Sequence, residues 1–208
     1  MIDAKGCESC HFKLEAHGGA RNQADYCTLC HNPENVNDDR VARFESASIV
    51  AESVDLRVMI HKIHMGEHLT QQPYVLGGFP VPNKANPAGT PVDFGEVRYP
   101  GDQKACWACH KAGTYLPPLA QGLLPSKTQI LGCTEDPAAD ADDYCDVRTV
   151  DSETATPPVS AACTGCHDMP DAVAHAETMT ASSGVEACGT CHGSGAAYDV
   201  DVVHALDP

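Results

Sequence analysis

Large aromatic side chains and positive charge are both scarce in this chain. Only 5% of its 208 residues are aromatic, while 15 prolines and 17 glycines interrupt regular structure. A chain of this composition does not easily build a protein-only core, so it needs covalent staples or large apolar cofactors. The 29 acidic residues against 13 basic ones give a net charge of -16, which argues against nucleic acid as a partner because phosphates would be repelled.

Long hydrophobic runs are also missing. No stretch approaches the roughly 20 apolar residues that cross a bilayer, so no transmembrane segment is expected. The Met1 start has no basic region followed by an apolar run, so no signal peptide is expected in this chain. The sequence is therefore interpreted as a mature region or as a segment of a longer chain.

Cysteine, by contrast, is abundant, and ten of the 12 cysteines belong to five copies of Cys-x-x-Cys-His. Two thiols at this spacing can bond to the two vinyl groups of one porphyrin, and the following histidine then lies beneath the iron as its proximal ligand. A single Cys-x-x-Cys could be a redox pair or half a zinc site, but five copies with histidine favour five covalently bound haem c groups. The predicted attachment residues are Cys7, Cys10, Cys27, Cys30, Cys106, Cys109, Cys163, Cys166, Cys188 and Cys191, and the predicted proximal ligands are His11, His31, His110, His167 and His192.

Two cysteines remain, Cys133 and Cys145, on either side of an acidic stretch. In a protein matured outside the cytoplasm, an even remainder predicts a disulfide, with two free thiols as the alternative. Closing a loop this short contributes roughly 3 kcal/mol in the chain-entropy model. The acidic stretch lacks the spacing of an EF-hand, so we interpret it as a solvated loop.

A helix is predicted over residues 53–66, where Ser53 can cap its start, Asp55 suits its first turn and Gly66 can end it. His61 and His64 then lie about 60° apart around the helix axis. They share a face but diverge enough to reach two different metal centres. The alternative is a pair of ordinary core or surface histidines on an amphipathic helix.

Six of the 11 histidines lie outside the attachment motifs, and five haems that only carry electrons need five further ligands. An enzyme must leave one iron open to substrate, so this supply favours a carrier with no catalytic residues. The candidate distal ligands are His17, His61, His64, His68, His175 and His204, with Met65 and Met169 as weaker alternatives. His68 follows Gly66 in an expected turn and is the spare candidate. His17 is expected on one helix with His11, serving a neighbouring haem, and Pro170 is expected to open the helix of His175.

The predicted fold is mostly irregular with short α-helices, a single multihaem module over residues 1–208 whose core is the haem stack. Haems 1 and 2 belong to residues 1–45 around one short helix, haem 3 to 101–116, and haems 4 and 5 to 161–208. Prolines and glycines predict a long loop over 71–101, with a short strand at 92–99, and a proline-rich connection over 117–160. Side chains such as Tyr26, Leu29 and Trp107 are expected to pack on porphyrin faces.

Several stretches together resemble one pentahaem module of the outer-membrane decahaem cytochromes of metal-reducing bacteria, the OmcA/MtrC family. They are Cys10-His-Phe-Lys-Leu-Glu-Ala-His17-Gly-Gly, Tyr26-Cys-Thr-Leu-Cys-His31-Asn-Pro, Met59-Ile-His-Lys-Ile-His-Met-Gly66, Phe94-Gly-Glu-Val-Arg-Tyr-Pro-Gly101, Gly113-Thr-Tyr115 and Ala187-Cys-Gly-Thr-Cys-His-Gly193. The resemblance implies two histidine ligands on every iron, so the distal set becomes His17, His61, His64, His175 and His204. It departs from the family in size, because members have two such modules and intervening β-barrel domains.

The resemblance also implies a function. We expect an electron-transfer protein that passes respiratory electrons to metal oxides, flavins or other extracellular acceptors. Its partners would be other multihaem cytochromes or an outer-membrane porin–cytochrome complex. The expected location is the extracellular face of the outer membrane or the medium, after maturation in the periplasm. The alternatives are a subunit of a conductive haem filament and a multihaem oxidoreductase of the nitrite or hydroxylamine type, which would need an open iron.

Overall fold

The computed structural model describes residues 2–17, 19–34, 52–77, 91–134 and 147–204. Short helices and two small sheets are joined by irregular segments, so the prediction of a mostly irregular fold with short helices is confirmed. The helices in the described ranges are α1 (Ala4–Glu8), α2 (Ala24–Cys30), α3 (Leu56–Met65), α4 (Pro158–Cys163), α5 (Pro170–Thr178), α6 (Gly189–His192) and α7 (Val200–Val203), with 3-10 turns at Gly66–His68 and Cys106–Ala108.

The longest of these helices, α3, begins later than predicted. Asp55, not Ser53, is the N-cap, and its carboxylate accepts a hydrogen bond from the main-chain N–H of Arg57 at 3.2 Å. Ser53 lies two residues earlier, and its hydroxyl oxygen accepts from the N–H of Asp55 instead. Gly66 ends the helix as expected, with a φ of 46° that L-residues rarely adopt.

A small apolar core surrounds α3. Leu56 and Met59 project from the helix into a cluster of buried side chains completed by Val54, Leu69, Tyr74 and Leu76. Ile60 and Ile63 pack against this cluster while partly exposed. Burying a side chain of this size contributes about 1.5–3 kcal/mol. The helix that bears two candidate ligands is therefore fixed by packing along one face.

The strands form two antiparallel hairpins. In the first, β1 (Val75–Gly77) pairs with β2 (Pro91–Asp93), so the strand predicted at 92–99 is shorter and ends where the Asp93 carboxylate accepts from the N–H of Gly95. In the second, β3 (Ser126–Thr134) pairs with β4 (Val147–Thr156), with an irregularity after Ile130.

The hairpin of β3 and β4 corrects the prediction of an irregular connection over residues 117–160. The prolines that suggested it at 117, 118, 125, 157 and 158 all lie outside the two strands. Between them the chain is rich in β-branched residues, such as Thr128, Ile130, Val147 and Thr149, which favour extended structure. A prediction based on proline positions alone therefore does not detect these two strands.

The N-terminal segment also differs from its prediction. Two helices, α1 and α2, lie around the first two motifs instead of one, and no helix joins His11 to His17. Residues Ala16 and Arg21 form an isolated antiparallel bridge, and His17 within it has a φ of 52°. A positive φ is incompatible with a right-handed helix, and the glycines that follow favour such a turn.

The structure does not test the predicted disulfide between Cys133 and Cys145. Cys145 lies outside the described residues, and Cys133 is described only by its place in β3, so the disulfide stays a prediction. Among the helices within the described ranges, none combines the length and the apolar character that crossing a bilayer requires.

Candidate haem-binding sites

Each attachment motif folds as one helical turn. In all five, the main-chain N–H of the motif histidine donates to the carbonyl oxygen of the first cysteine, four residues earlier. The N···O distances are 2.9 Å at His11, 2.8 Å at His31, 2.9 Å at His110, 2.8 Å at His167 and 2.9 Å at His192. Residues at positions i, i+3 and i+4 of a helical turn lie on one face. The turn therefore presents both thiols and the imidazole on the same side, as thioether attachment with a proximal ligand requires.

Every motif histidine faces a histidine from outside the motifs. The ring centroids lie 6.0 Å apart for His11 and His64, 6.0 Å for His31 and His17, 5.9 Å for His110 and His61, 5.9 Å for His167 and His204, and 6.3 Å for His192 and His175. No described histidine belongs to two such pairs. The structure thus brings together all ten predicted ligands, in five separate groups of two.

The spacing of these pairs fits a metal ion held between two imidazoles. With metal–nitrogen bonds of about 2 Å, and about 1 Å more from nitrogen to ring centre, two rings on opposite sides of one ion have centroids about 6 Å apart. Among the described residues, no group of three or more His, Cys, Asp or Glu side chains is arranged to hold a metal ion by itself. A haem iron needs only two protein ligands because the porphyrin supplies four, so the residues present fit haem c.

Helix α3 provides one histidine to each of two pairs. His61 stacks near His110 of the third motif at an interplanar angle of 24°, whereas His64 meets His11 of the first motif at 64°. The 60° divergence around the helix thus directs the two imidazoles to different motifs, as the spacing predicted. One helix lies between two candidate irons and contributes to both.

Hydrogen bonds to main-chain oxygens orient four of the ligand rings. Nδ1 is hydrogen-bonded to a carbonyl oxygen at 2.9 Å in His31, 2.9 Å in His64, 3.1 Å in His192 and 2.9 Å in His204. Such a bond fixes the tautomer, leaving Nε2 free to bind a metal, and makes the ligand more basic.

The pair formed by His61 and His110 is different. Nδ1 is buried in both rings and has no hydrogen-bond partner in the described structure. Burial, and then the neighbouring His110, lower the pKa of His61 to about 4. Burial also lowers the pKa of His64, His110 and His167. Burial thus favours the neutral form of these imidazoles, which is the form that can bind iron.

Two acidic side chains that precede α3, Asp55 and Glu52, make contacts that hold it in place. The carboxylate of Asp55, only 3% exposed, caps the helix and accepts a short hydrogen bond from the hydroxyl of Ser126 at the start of β3. Between the two histidines, Lys62 forms a partly buried ion pair with Glu52 at 2.8 Å, and its ammonium lies 5.1 Å from the ring centre of Tyr74. These contacts fix the rotation of α3, on which the direction of His61 and His64 depends.

The end of α3 is tied to the fourth motif. Asp168 directly follows His167 and is 2% exposed. Its carboxylate accepts hydrogen bonds from the main-chain N–H groups of Thr70 at 2.9 Å and Gln71 at 2.6 Å, and its carbonyl oxygen accepts from the Gln71 amide. On the other side, the Gln103 amide donates to the carbonyl oxygen of His64 at 2.9 Å.

Direct contacts also join the motifs to one another. The N–H of Asp3, four residues before the first motif, donates to the carbonyl oxygen of Cys109 in the third motif at 2.8 Å. The carboxylate of Glu186, just before the fifth motif, accepts from the N–H groups of Val159 and Ser160 at the start of α4, which leads into the fourth. These contacts thus link the N-terminal segment to the third motif, and the start of the fifth motif to the helix that leads into the fourth.

Large apolar side chains lie exposed beside the motifs. Phe12 follows the first proximal histidine, and Leu29 and Trp107 lie within the second and third motifs, each more than half exposed. Exposed side chains of this size are unusual unless a partner or ligand covers them. Their position fits the prediction that Leu29 and Trp107 pack on porphyrin faces.

The sixth non-motif histidine stands apart. His68 lies in the 3-10 turn after α3, as the sequence suggested, and its imidazole is 59% exposed with the Glu67 carboxylate 3.9 Å away. It faces no motif histidine. The residues that sequence analysis missed are the supports of the ligands, above all Asp168, Glu186 and Ser126. For Asp168 the sequence offers one local signal, an acidic residue directly after an attachment motif.

Comparison with known proteins gives two matches. The family model described as "Outer membrane cytochrome MtrC/MtrF-like, domains II/IV" matches residues 1–205. Among solved structures, the outer membrane decaheme cytochrome OmcA is similar, with 23% sequence identity and a TM-score of 0.49 over 99% of this chain and 24% of that one. The chain therefore spans about a quarter of the length of that cytochrome. No curated protein matches.

Proposed function

The chain belongs to the family of outer membrane cytochromes of the MtrC/MtrF-like domain II/IV type, and on this premise we propose that it carries electrons through five haem c groups. The family binds c-type haem and transfers electrons; the number of haems, their ligands and the acceptors are the proposal. The module comprises residues 1–208 as a single unit.

The observation that carries this proposal is the set of five histidine pairs. Each joins one motif histidine to one other histidine at a centroid distance between 5.9 and 6.3 Å. Chance contacts between 11 histidines would not select one motif and one non-motif ring each time. The proposed ligand pairs are His11 with His64, His31 with His17, His110 with His61, His167 with His204, and His192 with His175.

When bound, haem supplies reversible one-electron chemistry at an iron with no need for substrate contact. The chain's own residues supply two imidazoles to each iron, which leaves no coordination position for a substrate and favours a carrier over an enzyme. Main-chain hydrogen bonds to Nδ1 and the helical turns of the motifs hold these rings in place, so few atoms need to move when charge changes.

The acceptor side of the proposal follows from family membership and charge. We expect electrons to pass to other multihaem cytochromes, or to extracellular acceptors such as metal oxides or flavins, at the outer face of the outer membrane. A net charge of -16 favours encounter with cationic or metal-bearing surfaces and disfavours nucleic acid. Terminal metal reduction would take place at haem edges that reach the surface.

A redox titration with spin-state detection tests the proposal. The chain is produced with haem-maturation machinery, its haem content is measured by the pyridine haemochrome assay, and its ferric form is examined by electron paramagnetic resonance. The expected result is five haems per chain, all low-spin, with no change on adding carbon monoxide to the reduced protein. Fewer than five haems, or a high-spin iron that binds carbon monoxide, would contradict it.

A further inference from the structure

Gly165, inside the fourth attachment motif, lies against the side chain of His61. A Cβ atom placed on Gly165 would be 2.7 Å from the Cβ of His61 and 3.2 Å from the carbonyl oxygen of Ala162. Carbon atoms in favourable contact are about 3.5–4.0 Å apart. A methyl group at residue 165 therefore requires His61 to move.

Haem attachment does not explain a glycine at this position. The equivalent second intervening residue in the other four motifs is Ser9, Leu29, Ala108 or Thr190, so the motif itself accepts side chains of several sizes. Backbone conformation does not explain it either, since the φ of Gly165 lies outside the left-handed region that favours glycine. The contact with His61 is the constraint that the structure offers.

His61 has little freedom to yield to such a side chain. Its backbone belongs to α3, which is capped by Asp55 at one end and followed at the other by Thr70 and Gln71, both bonded to Asp168. Its ring lies 5.9 Å from that of His110 on the remaining side. Displacement at Cβ would therefore swing the imidazole away from its position opposite His110.

We propose that Gly165 is a positioning residue for His61, so that the attachment loop of the fourth motif sets the distal ligand of the haem on the third. This inference rests on the proposed ligation by His61. The absence of a side chain at Gly165 would thus make the ligand geometry at the third haem depend on the attachment loop of the fourth. A change made within one motif should be detected at the iron of another.

The test compares Gly165→Ala with Thr190→Ala in the haem-loaded protein. Thr190 occupies the same position in the fifth motif and is exposed, so its change is the matched control. Gly165→Ala should keep five haems but lose one low-spin signal in five and bind about one carbon monoxide per chain when reduced, against none for Thr190→Ala. An unchanged spectrum and no carbon monoxide binding in Gly165→Ala would overturn the inference.

A second variant, His61→Gly, tests whether Gly165→Ala acts through the side chain of His61. His61→Gly removes the Cβ atom with which a methyl group at residue 165 would collide, and added imidazole restores a sixth ligand to the opened iron. In this background with imidazole, Gly165→Ala should cause no further loss of low-spin signal, because the two changes act through one contact. An equal loss in both backgrounds would overturn the inference.

The His61→Gly background also keeps the test decisive if Gly165→Ala does not fold or load haem. If Gly165→Ala alone fails to load haem, recovery of loading in the His61→Gly background supports the contact, and failure there too overturns it. His61→Ala alone distinguishes failure of the proposed His61 ligation from failure of the proposed Gly165 contact. If that variant opens no iron, the proposed ligation fails and this inference with it; if it opens one while Gly165→Ala changes nothing, only the inference fails.

Discussion

Asp168 offers a sharp test of how the ligand helix is held. Its buried carboxylate accepts from two main-chain N–H groups, of Thr70 and Gln71, just beyond α3. In Asp168→Asn the side chain has nearly the same shape but only one acceptor oxygen, so one of the two N–H groups faces an NH₂ group. We therefore expect a loss of stability without a change in packing volume.

The magnitude follows from the bonds lost. A buried donor left without a partner costs about 1–3 kcal/mol, and the charge-assisted character of the remaining bond is lost as well, for a total of about 2–4 kcal/mol. For a chain of this length, 1 kcal/mol corresponds to about 2–4 °C in the melting temperature. The midpoint of Asp168→Asn should therefore fall by about 4–16 °C.

Thermal unfolding of the haem-loaded protein, followed by far-ultraviolet circular dichroism, measures this shift. Glu177→Gln is the matched control, because Glu177 is an exposed carboxylate on α5, and it should change stability by less than about 0.5 kcal/mol. Since α3 bears His61 and His64, high-spin iron should emerge at lower temperature in Asp168→Asn than in the control. A midpoint equal to that of the control would refute the idea that Asp168 holds the end of α3.

Three other outcomes are expected. His61→Ala and His64→Ala should each create one iron that binds carbon monoxide, and the double variant should bind two per chain; a value of one would mean that both ligate the same haem. His68→Ala should leave every iron low-spin in electron paramagnetic resonance, and any new high-spin signal would show that His68 is not spare. Glu186→Gln should lower stability by about 1–2 kcal/mol in a denaturant titration, because the start of α4 loses charge-assisted bonds; an unchanged midpoint would argue against that cap.

Which residues belong to the candidate sites could be predicted from the sequence, because covalent attachment leaves a local signature. Cys-x-x-Cys-His needs no tertiary information, and counting histidines limits the remaining ligands to six. The pairing could not be predicted in this way. That His17 faces His31, while His64 faces His11, depends on how separate turns pack, and no local pattern encodes it.

The errors in the fold prediction have local physical causes. The residue types between His11 and His17 predict one helix, but His17 adopts a positive φ, which is incompatible with a right-handed helix. The prolines at the outer ends of β3 and β4 favour an irregular connection, although the residues between them form two paired strands. Ser53 and Asp55 are both suitable N-cap residue types; in the structure Asp55 is the cap, and its carboxylate also accepts a hydrogen bond from Ser126, a residue distant in sequence.

The two histidines of α3 make this short helix intolerant of any change in length. Inserting or deleting one residue between His61 and His64 would turn one imidazole by about 100° relative to the other. Because His61 faces the third motif and His64 faces the first, no single rotation of the helix could restore both pairs. Insertions that a surface loop absorbs easily would here separate one of these histidines from its motif partner, so the proposed ligation limits the interval between them as strictly as the interval within an attachment motif.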